Sequence, residues 1–215
     1  MTKQWMVTVV VVSAMLAGIA NATEEAAKKE VKAVATNATL VNLQTALNAE
    51  SNAKANYEAF AAKADTEGYK SVASLFRGFA KSDAMRAERH AAMIEKLGGK
   101  AKTGTEALVK VKTTKENLEA TIAALTAEKD TLYPPFATQA ETDKNEHAAM
   151  GFKGSVAIAG ANIKICQKVL GELDAWKATG KTVLVCQVCT YVSIDPQLKN
   201  CPVCNAPREK FDVIK

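Results

Sequence analysis

Four cysteines near the end of the chain have the spacing of a metal site. Cys186 and Cys189 form one C-x-x-C pair, and Cys201 and Cys204 form a second pair, with eleven residues between the two pairs. Within each pair, one tight turn brings both sulfurs to the same ion, with backbone N–H groups directed at them. Two pairs complete a tetrahedral set of four thiolates, which suits iron or zinc. We therefore predict one metal ion, iron or alternatively zinc, at these four cysteines.

Cysteines also form disulfides and exchange pairs, and these alternatives need to be weighed. A single C-x-x-C pair could be a thiol–disulfide exchange site. Five cysteines in an oxidising compartment would ordinarily suggest disulfides and one spare thiol. The two pairs instead close the ends of a segment too short to fold unaided, which favours the metal site. Cys166, the fifth cysteine, is predicted to be a buried free thiol in the helical part of the chain.

The N-terminal segment has the layout of a secretory signal peptide, predicted to cover residues 1–22. Lys3 supplies a positive start, 5–19 is uncharged and apolar, and Ala20-Asn21-Ala22 is a small-x-small cleavage site. The apolar stretch is short for a membrane span, so a retained anchor is the alternative. We expect an exported, periplasmic protein without a membrane segment after cleavage, in which residues 23–38 are a flexible lead-in.

Composition and charge restrict the possible fold class and the possible partners of the chain. The chain has 215 residues, 48% of them hydrophobic but only 6% aromatic, which favours closely packed, alanine-rich helices. Its net charge of +5 comes from interspersed lysines and acids. Because no basic run is interleaved with aromatic residues, we expect no nucleic-acid partner.

The region 39–178 is predicted to form a helical domain that precedes the cysteine-containing domain. Apolar residues recur at helical spacing in four segments, separated by Glu67-Gly68, by a long polar stretch after Gly98-Gly99, and by Asp143-Lys144-Asn145. Short, long and short connections are typical of a ferritin-like four-helix bundle. The predicted fold class is thus an all-α bundle followed by a small metal-bound β/loop domain at 181–215.

An internal repeat supports the bundle. Asn42 and Asn117 are 75 residues apart, whereas Tyr57 and Tyr133 are 76 residues apart. The third helix thus contains one extra residue between Leu125 and Tyr133. A single insertion in a helix is absorbed as a π-bulge, which is what we predict there.

The motifs of both regions resemble one known family. C-Q-V-C and C-P-V-C-N-A-P-R-E-K-F within 182–214 look like a rubredoxin-like domain, although Thr190 and Asn205 follow the knuckles where glycine is common. N-L-x-x-A-L-N-A-E, G-Y-x-S-V-A-S-L-F-R and Y-P-P-F make the bundle similar to that of the rubrerythrins. The resemblance implies a non-haem iron protein that reduces peroxide at a di-iron site. Electrons would reach that site from the rubredoxin-like iron, often across a homodimer.

Compared residue by residue, the di-iron ligands implied by the resemblance are largely absent. The residual positions are Glu50, Asp83, Arg86 and Glu128, with Arg86 in place of a histidine. Leu125, Ala159 and Asn162 replace further ligands. We expect no di-iron centre, no catalytic residues, and Arg86 paired with the remaining acids, because buried carboxylates need a compensating charge. His90 is interpreted as a core histidine with a satisfied hydrogen bond, and His147 as exposed.

Two function classes follow, with a third kept open. The first is an exported one-electron carrier with an iron centre at the four cysteines, a degenerate di-iron site and an unidentified redox partner protein. The second is a non-redox binding or scaffold protein with a structural zinc at the four cysteines. The third is a peroxide-reducing rubrerythrin with an atypical site. The resemblance to an oxidoreductase family leaves enzyme activity open.

Overall fold

The computed structural model describes residues 38–104, 110–178 and 180–215. Its helices are α1 (38–66), α2 (Lys70–Lys96), α3 (Thr114–Ala127), α4 (Tyr133–Thr142) and α5 (Glu146–Gly171). A π-helical segment, Glu128–Leu132, joins α3 to α4, so these three pieces form the third helix of a four-helix bundle. The predicted signal peptide and most of the predicted lead-in lie outside the described residues.

Local sequence signals begin and end these helices where the chain must turn. Gly68 and Gly98 adopt positive φ just after α1 and α2, a conformation that glycine reaches without steric cost. A capping box between Thr113 and Glu116 starts α3. The Asn145 side chain caps α5 by accepting from the Ala148 N–H at 3.1 Å. The short–long–short connections of a ferritin-like bundle are thereby confirmed.

The π-helical segment confirms the irregular turn predicted in the third helix. It lies between Leu125 and Tyr133, where the repeat contains one residue more than its first copy. Both flanking residues are buried, whereas the segment itself presents no fully buried side chain. The extra residue is thus accommodated at the surface, and the helix keeps its apolar face inward on both sides.

Two apolar clusters form the bundle core. One contains Leu47 together with Tyr133 and Phe152, and the other contains Tyr57 together with Phe76. Along α1, Glu50 lies between Leu47 and Tyr57. A buried polar layer therefore separates the two clusters at the level of Glu50 and governs how the four helices meet.

The C-terminal domain is a three-stranded antiparallel sheet in the order β2-β1-β3, with β1 Val183–Cys186, β2 Val192–Ser193 and β3 Phe211–Ile214. Val183, Val185 and Val192 belong to the same apolar cluster as Phe76 of the bundle. A Cβ at Gly78 of α2 would lie 2.8 Å from Val183 Cγ1, so the absence of a side chain there permits the close approach. The sheet is packed directly onto α2.

The fold class predicted from the sequence is confirmed: a ferritin-like helical bundle is followed by a small strand-containing domain with clustered cysteines. Within the described residues, no helix is both long enough and apolar enough to traverse a bilayer.

Candidate metal centre and the buried polar layer

The structure brings the four predicted cysteine ligands together. Four sulfur atoms all lie within 4.8 Å of one another: those of Cys186, Cys189, Cys201 and Cys204. Cys186 Sγ is 3.7 Å from Cys204 Sγ, and Cys189 Sγ is 3.4 Å from Cys201 Sγ. A disulfide needs about 2.05 Å, so these sulfurs are unbonded. Metal–sulfur distances of about 2.3 Å place tetrahedral sulfurs about 3.8 Å apart. The donor set fits one tetrahedral ion.

The two knuckles are built by the same turn. Thr190 and Asn205 have positive φ values of 68° and 59°, and their N–H groups donate to the carbonyls of Cys186 and Cys201 at 2.9 Å. This is the left-handed conformation in which glycine is usual and threonine is uncommon. The turn therefore survives both departures from the glycine pattern, at a conformational cost that is larger for Thr190.

Backbone donors also point at the sulfurs. The N–H of Tyr191 is directed at Cys189, those of Val203 and Cys204 at Cys201, and that of Ala206 at Cys204. Such hydrogen bonds favour the thiolate, which is the form that binds a metal, and they tune the reduction potential of a bound iron. The local backbone is thus preorganised for an anionic sulfur cluster.

In the bundle, Arg86 lies between two of the residual di-iron positions. Its Nε donates to Glu50 Oε1 at 2.7 Å, and its Nη2 is 2.7 Å from Glu50 Oε2. The same Nη2 also contacts Asp83 Oδ1. The Tyr133 hydroxyl donates to Glu50 Oε1 at 2.5 Å. A guanidinium that forks onto one carboxylate and reaches a second supplies the compensating cation expected there.

Charge in this layer is not fully balanced by one guanidinium. Glu128 is half-buried, and the described residues offer it no ion pair. Burial, with Glu50 nearby and Arg86 opposing, raises the pKa of Glu128 to about 7. Burial also raises the pKa of Asp83, against the attraction of Arg86. One cation beside three carboxyl groups leaves two negative charges uncompensated, which favours protonation of Asp83 and Glu128.

The remaining positions of the implied di-iron ligands carry neither a carboxylate nor an imidazole. Leu125 and Ala159 are buried, and Asn162 is buried with an unpartnered Oδ1. Where the family needs carboxylates and imidazoles around two ions, this chain has an arginine, a leucine, an alanine and an amide. The residues present therefore do not match that ligand set.

The other singled-out residues are not members of the cysteine cluster. Cys166 is fully buried and His147 is exposed. His90 is buried and stacks on Phe152, with ring centroids 5.8 Å apart. Its Nε2 has no hydrogen-bond partner among the described residues, so the expected satisfied hydrogen bond is wrong for that nitrogen. Burial lowers the pKa of His90 to about 4, so the ring is neutral at pH 7.

A hydrogen-bond chain missed by the sequence analysis joins the two sites. Arg86 Nη1 donates to Ser82 Oγ at 2.8 Å, and the Ser82 hydroxyl donates to the carbonyl of Thr190 at 2.8 Å. Thr190 directly follows the ligand position Cys189. Ser82 is one turn before Arg86 on α2, a spacing that could have indicated a shared face; its contact with Thr190 spans 108 residues and has no sequence signal.

Comparisons with known proteins identify relatives of this chain. A family model described as "Rubrerythrin" matches residues 42–156. "Nigerythrin" of Nitratidesulfovibrio vulgaris is 24% identical over 177 residues, covering 82% of this chain and 87% of that protein. "Rubrerythrin" of Porphyromonas gingivalis is 28% identical over 179 residues, covering 81% and 88%.

Solved structures show the same fold. A mixed-valence nigerythrin structure aligns with TM-score 0.76 at 23% identity, covering 81% of this chain and 86% of that chain. Bacterioferritin BfrA of Mycobacterium tuberculosis aligns with TM-score 0.59 at 20% identity, covering 64% and 86%. The fold and the sulfur cluster thus define a ferritin-like bundle protein with a C-terminal rubredoxin-like domain. Since the family model covers more than half of its length, the chain belongs to the rubrerythrin family.

Proposed function

We propose that this chain is an exported one-electron carrier that holds one iron at its four cysteines and no di-iron centre in its bundle. The observation that carries the proposal is the position of Arg86 between Glu50 and Asp83, in a chain whose four sulfurs remain clustered. The four-cysteine site keeps its donor atoms, whereas the bundle has an arginine at the centre of its polar layer.

The chain's own residues would hold the iron and set its surroundings. Cys186, Cys189, Cys201 and Cys204 would be its ligands, and an iron in such a site exchanges single electrons with a redox partner protein. Cys186 and Cys201 are buried, whereas Cys189 and Cys204 are partly exposed. That asymmetry gives a partner access to one side of the cluster while the buried side keeps the ligands rigid.

In the bundle, the proposal assigns a structural role to the residual acids. Glu50 accepts from Arg86 and Tyr133, and the guanidinium supplies a permanent charge where the family's ions would supply a labile one. Peroxide reduction is therefore not proposed for this chain.

Metal analysis with a visible spectrum tests the assignment on protein purified from its own host. We expect close to one iron per chain and the red absorption of an iron–thiolate site. Changing Cys186 or Cys201 to serine should remove both. Cys166→Ser is the matched control, because that buried thiol lies outside the cluster, and it should retain iron and colour.

Other results would replace the proposal with one of its alternatives. A colourless protein with one zinc per chain would favour the binding or scaffold protein. Three irons per chain, two of them independent of the cysteines, together with peroxide reduction dependent on Glu50, would favour the atypical peroxidase.

Export is proposed from residues 1–22 alone. Sequencing the N-terminus of the purified protein should give Thr23 as its first residue, from cleavage after Ala22. An intact Met1 in a membrane fraction would instead indicate a retained anchor.

A further inference from the structure

A cavity of about 520 Å³ lies between α2, α5 and the first cysteine knuckle. Leu43 and Ile158, both buried, form apolar parts of its inner wall. Met150 and Val188 contribute exposed apolar surface at its mouth. Along α2 the lining extends from Arg86 to Lys96, which at 1.5 Å per residue is about 15 Å. The cavity is thus elongated and has room for a small organic molecule.

Three of the residues that line this cavity each carry a buried polar atom that lacks a partner among the described residues. These atoms are His90 Nε2, Ser155 Oγ and Thr190 Oγ1. Their residues are only 6%, 3% and 0% exposed. A buried polar group without a partner costs about 1–3 kcal/mol, so three around one cavity favour a ligand that supplies those partners.

The ionisable side chains that line the cavity are mostly basic. They are the side chains Arg86, Arg89, His90, Lys96, His147 and Cys189, and no carboxylate is among them. Arg86 is already matched by Glu50 and Asp83. Arg89 and Lys96 are exposed and have no ion-pair partner within the described part of the chain, although Arg89 donates to the Gln187 carbonyl at 3.2 Å. Two uncompensated cations therefore face the opening.

We propose that this cavity binds an organic carboxylate with an apolar body. Hydroxyls and an imidazole N–H can donate hydrogen bonds to a carboxylate, and the two cations at the opening attract it. The apolar body packs against the wall that contains Leu43 and Ile158. Cys189 lines the same cavity, so the ligand would lie beside one thiolate of the metal centre. The lining residues that carry this proposal are the same whichever metal the cysteines hold.

Two glycines on α5 make the site testable without loss of the fold. A Cβ at Gly154, which lines the cavity, would meet no atom within 4 Å. Gly154→Leu therefore adds side-chain volume at the cavity wall while improving helix propensity by about 1 kcal/mol. Gly160 lies on the same helix outside this cavity, and its Cβ would make an ordinary 3.5 Å contact with Lys129 Cδ. Gly160→Leu is the matched control.

Calorimetric titration of the metal-loaded mature chain with octanoate, below its micellar concentration, tests the proposal. We expect saturable binding to the parent and to Gly160→Leu, and at least about tenfold weaker binding to Gly154→Leu. Charge reversal by Lys96→Glu should weaken binding by about tenfold, whereas Lys115→Glu on α3 should leave it unchanged. Octanamide, which lacks the charge, should bind more weakly than octanoate.

Either of two results would overturn the site itself. One is the absence of saturable octanoate binding to the parent, and the other is equal affinity in the Gly154→Leu and Gly160→Leu variants. Equal affinity for octanamide and octanoate would overturn the assignment of a carboxylate.

Discussion

Arg86 occupies a layer of the bundle in which three acidic side chains come close to one another. Its guanidinium contacts Glu50 with two nitrogens and Asp83 with one, and only 7% of the residue is exposed. A buried ion pair adds little stability compared with an apolar pair. Removing one partner is costly, however, because it leaves the other charge buried and alone. Arg86 therefore contributes to stability mainly by preventing the cost of leaving carboxylates buried without a cation.

We expect Arg86→Ala to lower the free energy of unfolding by about 3–5 kcal/mol, measured by chemical denaturation monitored with circular dichroism. Arg89→Ala, an exposed arginine three residues along the same helix, should change it by no more than about 0.5 kcal/mol. Equal effects of the two variants would show that Arg86 does not compensate buried charge.

Glu128 should make stability depend on pH. Its folded-state pKa, about 7, is higher than the ordinary value of 4.5, because burial and Glu50 favour its protonated form. The folded state then holds a proton that the unfolded state has lost between pH 4.5 and 7, so stability falls as pH rises through this window. Glu128→Gln replaces this titratable carboxyl group by an amide and so removes its contribution to the pH dependence.

The difference in unfolding free energy between Glu128→Gln and the parent should grow from pH 4.5 to 7 in favour of the variant, and then level off. Comparing the two proteins cancels the opposing contribution of His90, whose lowered pKa costs stability below pH 6.5. A difference that is constant with pH would contradict the raised pKa of Glu128.

At the scale of single elements, the π-helical segment explains how one extra residue fits within a helix. In a regular α-helix, deleting a residue rotates everything after it by about 100° and turns the apolar face outward. Deleting a residue from a π-turn instead leaves a regular α-helix with both flanks in register. Asp130 is exposed within the segment Glu128–Leu132.

Deletion of Asp130 should therefore yield a folded bundle with a cooperative thermal transition, followed by circular dichroism at 222 nm. Deletion of Gly160, in the regular helix α5, should abolish that transition, because it misplaces buried residues such as Ile165 and Val169. If both deletions unfold the protein, the segment is required for more than accommodating the insertion.

Some features of these elements could be predicted from the sequence, and others could not. The offset between the two repeats located the π-helical segment, because an inserted residue increases the spacing between equivalent residues by one. The C-x-x-C spacing likewise predicted the sulfur cluster, since two residues between cysteines restrict the turn. The unpartnered Nε2 of His90 and the contact between Ser82 and Thr190 depend on how distant segments pack, and no local pattern encodes such packing.

At the scale of the whole molecule, the bundle and the small domain share one apolar cluster. Val183, Val185 and Val192 join the two by packing into the cluster that also contains Trp176. The sequence has two tryptophans, Trp5 and Trp176, so cleavage after Ala22 would leave Trp176 as a single fluorescent reporter at this junction.

Removing the metal with a strong chelator should shift Trp176 emission to longer wavelength, because the strands that cover it lose their order. The helical signal at 222 nm should be largely retained, since the Leu47 cluster and the Arg86 pairs remain. Cys201→Ser should reproduce this state without chelator, and Cys166→Ser should not. Simultaneous loss of the helical signal would show that the two domains unfold as one unit.

The guanidinium in the polar layer has a consequence for how the protein is made. An ion must be acquired from a cellular supply, whereas an arginine side chain arrives with the polypeptide as it is synthesised. Glu50 and Asp83 are thus paired with a cation at the moment the helices meet, whatever the availability of iron. Under the proposed function, we expect the bundle to fold during iron starvation, while residues 181–215 would still lack their ion.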